Sequence, residues 1–357
     1  MASSRAARGA DERPDDRAGR VTIRDIAERA GVSKGAVSYA LNGRPGVSDD
    51  TRDRILSIAR ELGWYPNRAA RALSAARADS CGLVLARPAR TLALEPFFME
   101  FLAGVESELS ARSIALTIQL VEDVEQEIAV YRRWWGEHRV DGVLMVDLRV
   151  DDPRIDELVR LGLPTVVVGG PVKNRVLPAV WHDEAGVVIE AVRYLAALGH
   201  TRLAHVAGVA DFVHTVQRTA AFESATRELG LVSELVQTDY SVEQGARATR
   251  KLLSSPDPPT AIVFDSDLLA VTGLGVAQQM GFSVPDDLSI VGWDDSLISQ
   301  VVHPPLTALT RDIEAFGIAA VRHLLDAIDG GANEDVETVR GELTPRGSTA
   351  RLRGSSR

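Results

Sequence analysis

The sequence predicts an α/β protein in two parts. The first is an N-terminal helix-turn-helix headpiece of three helices with a hinge helix behind it, and the second is a two-lobed core built on two parallel sheets. Three observations predict this arrangement. Residues 22–41 place apolar side chains at helical spacing on both sides of a glycine. From Cys81 onward, short aliphatic runs alternate with helix-patterned segments. The chain has 357 residues, more than one typical domain, and about 270 remain after the headpiece, enough for two lobes.

In the headpiece, Thr22 can cap a first helix in which Ile23, Ile26 and Ala27 recur at helical spacing, and Gly31 supplies the turn. Ser33 then caps a second helix. Val37, Ala40 and Leu41 face inward from it, Ala27 is small enough to let the two axes approach, and Lys34, Gly35, Ala36, Ser38 and Tyr39 are left facing out. An ordinary helical hairpin would share these features, so the residues that follow matter. Asn42-Gly43-Arg44-Pro45-Gly46 is a loop, Ser48-Asp49-Asp50 opens a third helix with a cap and an acidic first turn, and Ile55, Ile58, Ala59 and Leu62 continue a buried stripe to Gly63. Residues 21–77 carry ten Lys/Arg against six Asp/Glu, a balance of +4, whereas residues 78–357 carry 25 against 40, a balance of −15. The basic charge sits where DNA would lie, and an acidic remainder confines nonspecific DNA binding to the small domain.

Residues 67–74 are rich in Ala, Arg and Leu and favour helix, but an isolated helix in water needs about 12–15 residues, so this one folds only when supported. Residues 1–20 have no apolar stretch of signal-peptide length and read as a disordered arm, and nowhere do about 18 consecutive apolar residues occur. The expected compartment is the cytoplasm, with no membrane partner. One cysteine, Cys81, excludes an internal disulfide, and its neighbours Gly82-Leu83-Val84-Leu85 make it a buried strand residue rather than a nucleophile.

In the core, strands are expected at residues 82–86, 115–120, 142–146, 164–168, 203–207, 235–237, 261–264 and 289–292. The intervening helices include 97–110, 184–198, 218–229, 242–253, 267–280 and 313–327. Two sheets are implied by the count, and ligands of open α/β sheets bind at the carboxyl ends of the strands, which places a cleft between the lobes.

The run from Val21 through Tyr65-Pro66-Asn67-Arg68-Ala69-Ala70-Arg71-Ala72-Leu73 resembles the headpiece and hinge of the lactose-repressor (LacI/GalR) family of bacterial transcriptional regulators. The resemblance extends to about residue 349 through Leu198-Gly199-His200, Phe264-Asp265-Ser266-Asp267, Val284 to Asp295, and Pro304-Pro305-Leu306-Thr307. It implies a periplasmic-binding-protein-like core. The expected domains are an arm at 1–20, the helix-turn-helix unit at 21–65 and a hinge helix with linker at 66–80. The core follows at 81–349, with lobe 1 at about 81–180 and 310–337 and lobe 2 at about 182–306 and 338–349, and a flexible tail at 350–357. The chain is expected to cross between lobes near Trp181, near residues 294–309 and near residues 328–338.

The resemblance also implies roles for single residues. Lys34, Gly35 and Tyr39 would read base edges in the major groove, with Ser33, Ser38 and Asn42 touching phosphates or capping the helix and Thr22 at the first helix start. Lys34 is the best base reader, since it can donate to guanine, although a phosphate contact would use the same charge. Paired hinge helices would lie in the minor groove, where Leu73 wedges between base steps and Asn67, Arg68 and Arg71 flank it. In the cleft, Asp294 would accept from ligand hydroxyls, Arg218 would donate to them and Trp181 would stack on a ring face, a chemistry that suits a sugar. Phe97, Phe98, Phe212, His214, Ser266, Asp267 and Trp293 complete the expected pocket, with a core role open for Phe97 and Phe98, a solvated position for His214 and a capping role for Asp267. Ser266 stands where many relatives have asparagine, and the loop from Arg87 to Glu95 is longer than the common pattern. With Arg218 as the only strong donor placed in the cleft, a neutral sugar is favoured over a phosphorylated one.

These residues describe a repressor that binds a palindromic double-stranded operator as a homodimer and whose affinity a small effector controls, with no cofactor, no metal and no enzymatic activity expected. The alternatives are a ligand-independent or activating DNA-binding regulator and, further off, a solute-binding protein, which would need an export signal and no headpiece. An enzyme would need His182, His205 or His214 joined to a metal-ligand spacing, a nucleophile elbow or a phosphate loop.

Overall fold

The computed structural model describes residues 21–64, 77–172, 176–331 and 334–352, with backbone alone at 91–93. The chain divides into two compact units between residues 75 and 76. The first contains α1 (Ile23–Ala30), α2 (Lys34–Leu41) and α3 (Asp49–Glu61). Their core is Ile26, Ala27, Ala30, Val37, Ala40, Ile55 and Ala59, with Leu41, Ile58 and Leu62 packed at its margin. Ile23 lies at the solvent edge instead of the core. Gly31 ends α1 in the left-handed region at φ 63°, and Val32 N–H reaches back to the Ala27 carbonyl at 3.1 Å, which turns the chain into α2.

The second unit holds two six-stranded sheets. One comprises β1 (Ser80–Leu85), β2 (Ala115–Leu120), β3 (Gly142–Met145), β4 (Thr165–Val168), β5 (Ala179–Trp181) and β11 (Val336–Glu337). The other comprises β6 (Arg202–Ala207), β7 (Val232–Gln237), β8 (Ala261–Phe264), β9 (Ser289–Asp294), β10 (Thr307–Thr310) and β12 (Glu342–Thr344). The orders are β11-β5-β4-β3-β1-β2 and β12-β10-β9-β8-β6-β7, and among the paired strands only β12 runs antiparallel to its neighbour. β1, β3, β4 and β8 are buried along their length, as parallel strands covered on both faces must be. Helices Val124–Gly136 and Pro153–Leu161 join those expected, and helix Ala89–Leu94 lies in the segment read as a long loop. Strands β5, β10, β11 and β12, two to four residues each, were not among those expected.

The chain passes between the sheets at 181–184, 310–313 and 337–342. The second passage falls after the stretch expected for it, because Thr307–Thr310 still pairs with β9. Residues 350–352 were expected to open a flexible tail. Leu352 N–H donates to the Leu198 carbonyl at 2.9 Å, and His200 Nε2 lies 3.1 Å from the Ala350 carbonyl, which fixes residues 350–352 on lobe 2.

In lobe 1, helices Pro96–Ser110 and Ile313–Ile328 cross at a pair of glycines. A Cβ on Gly104 would overlap the Glu314 carbonyl oxygen, and one on Gly317 the Phe101 carbonyl. This close crossing sets Phe97, Phe98 and Phe316 on one wall of the cleft. Gly104→Ala should destabilise the core by at least about 1–3 kcal/mol, the usual cost of overpacking, read as a lower urea midpoint with an unchanged slope.

Candidate functional site

Each sheet has the order 2-1-3-4-5 within its own lobe, so each has a switch point where the chain leaves adjacent strands in opposite directions. In lobe 1 it lies between β1 and β3, and in lobe 2 between β6 and β8. The carboxyl ends of these strands face one cleft of about 580 Å³, counting its mouth. Arg87 follows β1, Asp147 follows β3 and Asp265 follows β8, and all three line it. Asp147, Tyr240 and Asp294 enter the left-handed region at φ 54°, 65° and 75°, a conformation that costs a non-glycine residue free energy and turns these side chains out of the strand ends.

Each guanidinium of the cleft is paired with carboxylates of the same cleft. Arg87 grips Asp147 with two bonds of 2.6 and 2.7 Å, and its guanidinium lies 5.1 Å from the rings of Phe98, Phe212 and Tyr240. Arg218 donates through Nε to Glu184 at 2.6 Å and through Nη1 to the Asp265 carbonyl at 3.1 Å, and stacks 3.7 Å above Trp293. Arg311 pairs with Asp294, contacts His182 and reaches Glu184 at 3.2 Å. Burial alone would raise the Glu184 carboxyl, but the charges of Arg218, His182 and Arg311 hold it well below its ordinary value. Burial pushes His214 down to about 4, so it is neutral at physiological pH, with Nε2 3.0 Å from the Tyr240 hydroxyl.

The lobes also touch directly across the cleft. Val150 N–H donates to the Asp211 carbonyl and Val213 N–H to the Leu148 carbonyl, both at 2.8 Å, and Arg149 pairs with Asp211 at 2.6 Å.

Of the expected pocket residues, Phe97, Phe98, His214, Arg218, Ser266 and Asp294 line the cleft. Trp181 is not among the lining residues. Side chains alternate along a strand, and the following residue, His182, takes that place. Phe212 and Trp293 are buried supports beneath Arg87 and Arg218. Asp267 is a brace, accepting from Trp293 N–H at 3.0 Å and from the Ser296 N–H and hydroxyl at 2.6 Å, and burial pushes its carboxyl up to about 8. Arg218 is not the only guanidinium, because Arg87 and Arg311 line the same space. Sequence reasoning missed these two along with Glu95, Asp147, His182, Glu184, Tyr240 and Asp265. The available signal was a charged residue directly after an aliphatic run, as in Leu85-Ala86-Arg87, Val146-Asp147 and Phe264-Asp265. Among the described residues there is no group of three or more His, Cys, Asp or Glu that could hold a metal ion, and no helix is long and apolar enough to cross a membrane.

On the headpiece, Lys34 and Gly35 open α2 and are exposed, as is Tyr39 at 45 %, while Ser33 accepts from Ala36 N–H at 3.1 Å. Asn42 closes α2 by donating to the Ser38 carbonyl at 2.8 Å, and the Thr22 N–H and hydroxyl both donate to Asp25 at the start of α1. The expected hinge contacts Asn67, Arg68, Arg71 and Leu73 lie outside the described residues.

Residues 22–67 match the model of the bacterial regulatory proteins of the lacI family, and residues 192–349 match the periplasmic binding protein-like domain. The HTH-type transcriptional regulator CelR of Thermobifida fusca is 33 % identical over 329 residues, 91 % of this chain and 96 % of its own length. The chain belongs to the lacI family of bacterial transcriptional regulators. Like other lacI-family members, it is a sequence-specific DNA-binding protein with a helix-turn-helix headpiece and a two-lobed core. Two solved structures of the family span most of it. A CelR–cellobiose complex is 32 % identical with a TM-score of 0.71 and covers 92 % of this chain and 100 % of its own. The lac repressor dimer bound to operator and an anti-inducer is 25 % identical with a TM-score of 0.81 and covers 93 % and 100 %.

Arg311 ties the second lobe passage to Glu184 at the first. Arg311→Met should cost about 3–5 kcal/mol, because it leaves Asp294 and Glu184 buried without that partner, read by urea unfolding at neutral pH. The depressed Glu184 carboxyl stabilises the fold above its ordinary value, and that stability is lost as pH falls through the folded-state value. The loss should appear as an acid limb in Tm that Glu184→Gln flattens.

Proposed function

We propose that this regulator is a homodimeric repressor of a palindromic operator and that a neutral sugar bound between its lobes controls its DNA affinity. The observation that carries the ligand class is that the three guanidiniums lining the cleft are already paired. Arg87, Arg218 and Arg311 are each held by carboxylates of the same cleft, so no guanidinium is left to neutralise a phosphate or a sugar acid. What remains is an aromatic wall of Phe97, Phe98 and Phe316 facing carboxylates, and that combination binds the apolar face and the hydroxyls of a pyranose. The complex of CelR with cellobiose supports the same reading.

The mechanism is a coupling between two equilibria. Ligand that prefers the closed cleft shifts the lobes, and operator affinity changes by the ratio of ligand affinities for the DNA-competent and incompetent states. One headpiece reads a half-site, so dimerisation is what matches a palindrome, and the lac repressor dimer on its operator supports this arrangement.

The test is titration of cellobiose and other neutral disaccharides into the chain bound to a labelled operator selected from random DNA, read by fluorescence anisotropy. A sugar that changes operator affinity supports the reading, and an unchanged affinity for all of them overturns the sugar as effector. Asp294→Asn should keep operator binding and lose the sugar response. Lys34→Ala should relax base preference at one symmetric position of each half-site by about 1–3 kcal/mol if Lys34 reads a base. Uniform weakening across sequences would identify a phosphate contact.

A further inference from the structure

Glu95 stands apart from the other carboxyl groups of the cleft. It sits at the start of helix Pro96–Ser110 with a side chain 5 % exposed, and it lines the cleft. Asp147, Glu184, Asp265 and Asp294 each take part in an ion pair, whereas among the described residues Glu95 takes part in none. Its Oε2 is buried without a hydrogen-bond partner. The helix gives no reason for the carboxylate to be there, since its side chain makes no capping bond. A buried acceptor left unmade costs stability, and a site retains such a group when a ligand completes it.

We propose that Glu95 is the specificity-determining carboxyl of the cleft, its free Oε2 accepting a hydrogen bond from a hydroxyl of the bound sugar on the lobe 1 side. The proposal rests on the reading of the cleft as a sugar site. It adds a lobe 1 acceptor opposite Asp294 of lobe 2, so that a ligand offering hydroxyls to both draws the lobes together. A ligand with an anionic group at that position meets a second negative charge and is rejected.

The groups facing Glu95 are Arg87 after β1, Arg218 of helix Val213–Glu228, Asp294 at the end of β9 and the Ser266 hydroxyl, which hydrogen-bonds to the carboxyl. Burial outweighs the two arginines and pushes Glu95 up to about 7. A hydroxyl that donates to Oε2 favours the ionised carboxylate, so sugar affinity should rise as pH passes upward through 7. Burial holds His182 and His214 below their ordinary value, His214 down to about 4, and both are common to wild type and variant. Asp267 titrates at about 8 behind the cleft and is common to wild type and variant, so it cancels in the comparison.

The experiment is calorimetric titration of cellobiose and maltose into the full chain and its Glu95→Gln variant, at about one unit below and above pH 7, together with thermal melts of both unliganded proteins. The expected result is that Glu95→Gln weakens sugar binding by about ten-fold or more on the alkaline side, as removal of a hydrogen bond to a charged group does, and loses the pH dependence. The unliganded variant should melt no lower than wild type, and higher above pH 7, since it no longer buries an unpaired charge. Binding and pH profile equal to wild type would overturn the proposal, as would a lower melting point across the pH range, which would make Glu95 a structural group. Failure of both sugars to bind the wild type counts against the sugar reading of the cleft, and the melting comparison alone then decides on Glu95.

Discussion

The buried carboxylate of Glu184 is the constraint on which the core depends. It is the first residue of the helix that begins lobe 2, directly after the chain leaves lobe 1. One oxygen takes Arg218 and the other meets His182 and Arg311, and Arg311 stands at the second passage between lobes. A carboxylate this buried is tolerable only when positive charge and donors surround it, and removal of any one partner leaves charge stranded in a low dielectric. The same interaction therefore fixes the joint between the lobes, holds Arg218 against Asp265 and Trp293 and, through Arg311, places Asp294.

The cleft is shaped as much by backbone as by side chains. Asp147, Tyr240 and Asp294 adopt left-handed conformations at or after strand ends, where the sheet gives way to a loop. Such conformations persist where surrounding bonds over-determine them, as the pairs with Arg87, His214 and Arg311 do here. The two switch points, one per sheet, are what bring these strand ends face to face.

Closure adds a second set of contacts. The backbone bonds between 148–150 and 211–213, with the Arg149–Asp211 pair beside them, join loops that follow β3 and β6. They join the lobes at a second place, apart in the chain from the passages near Glu184. Ligand binding then acts on an equilibrium that the protein itself already biases, and a modest differential affinity is enough to shift it.

The sequence by itself determined the headpiece and most of the strand and helix succession, and its family motifs pointed to Phe97, Phe98, His214, Arg218, Ser266 and Asp294, which line one cleft. Each of these is legible because it rests on local spacing, on capping chemistry such as Ser33 before α2, or on a motif with fixed neighbours. The hinge residues 67–73 carry their meaning in the sequence and lie outside the described structure. Only the tertiary structure decided that His182 replaces Trp181 at the cleft, that Asp267 is a brace, and that Arg87 and Arg311 join Arg218 there. Those outcomes depend on which face of β5 meets the ligand space and on pairings such as Arg311–Glu184, 127 residues apart in the chain. Hydrophobic period and turn chemistry act over a few residues, whereas the pairing of buried charges is fixed only when two sheets bring their strand ends together.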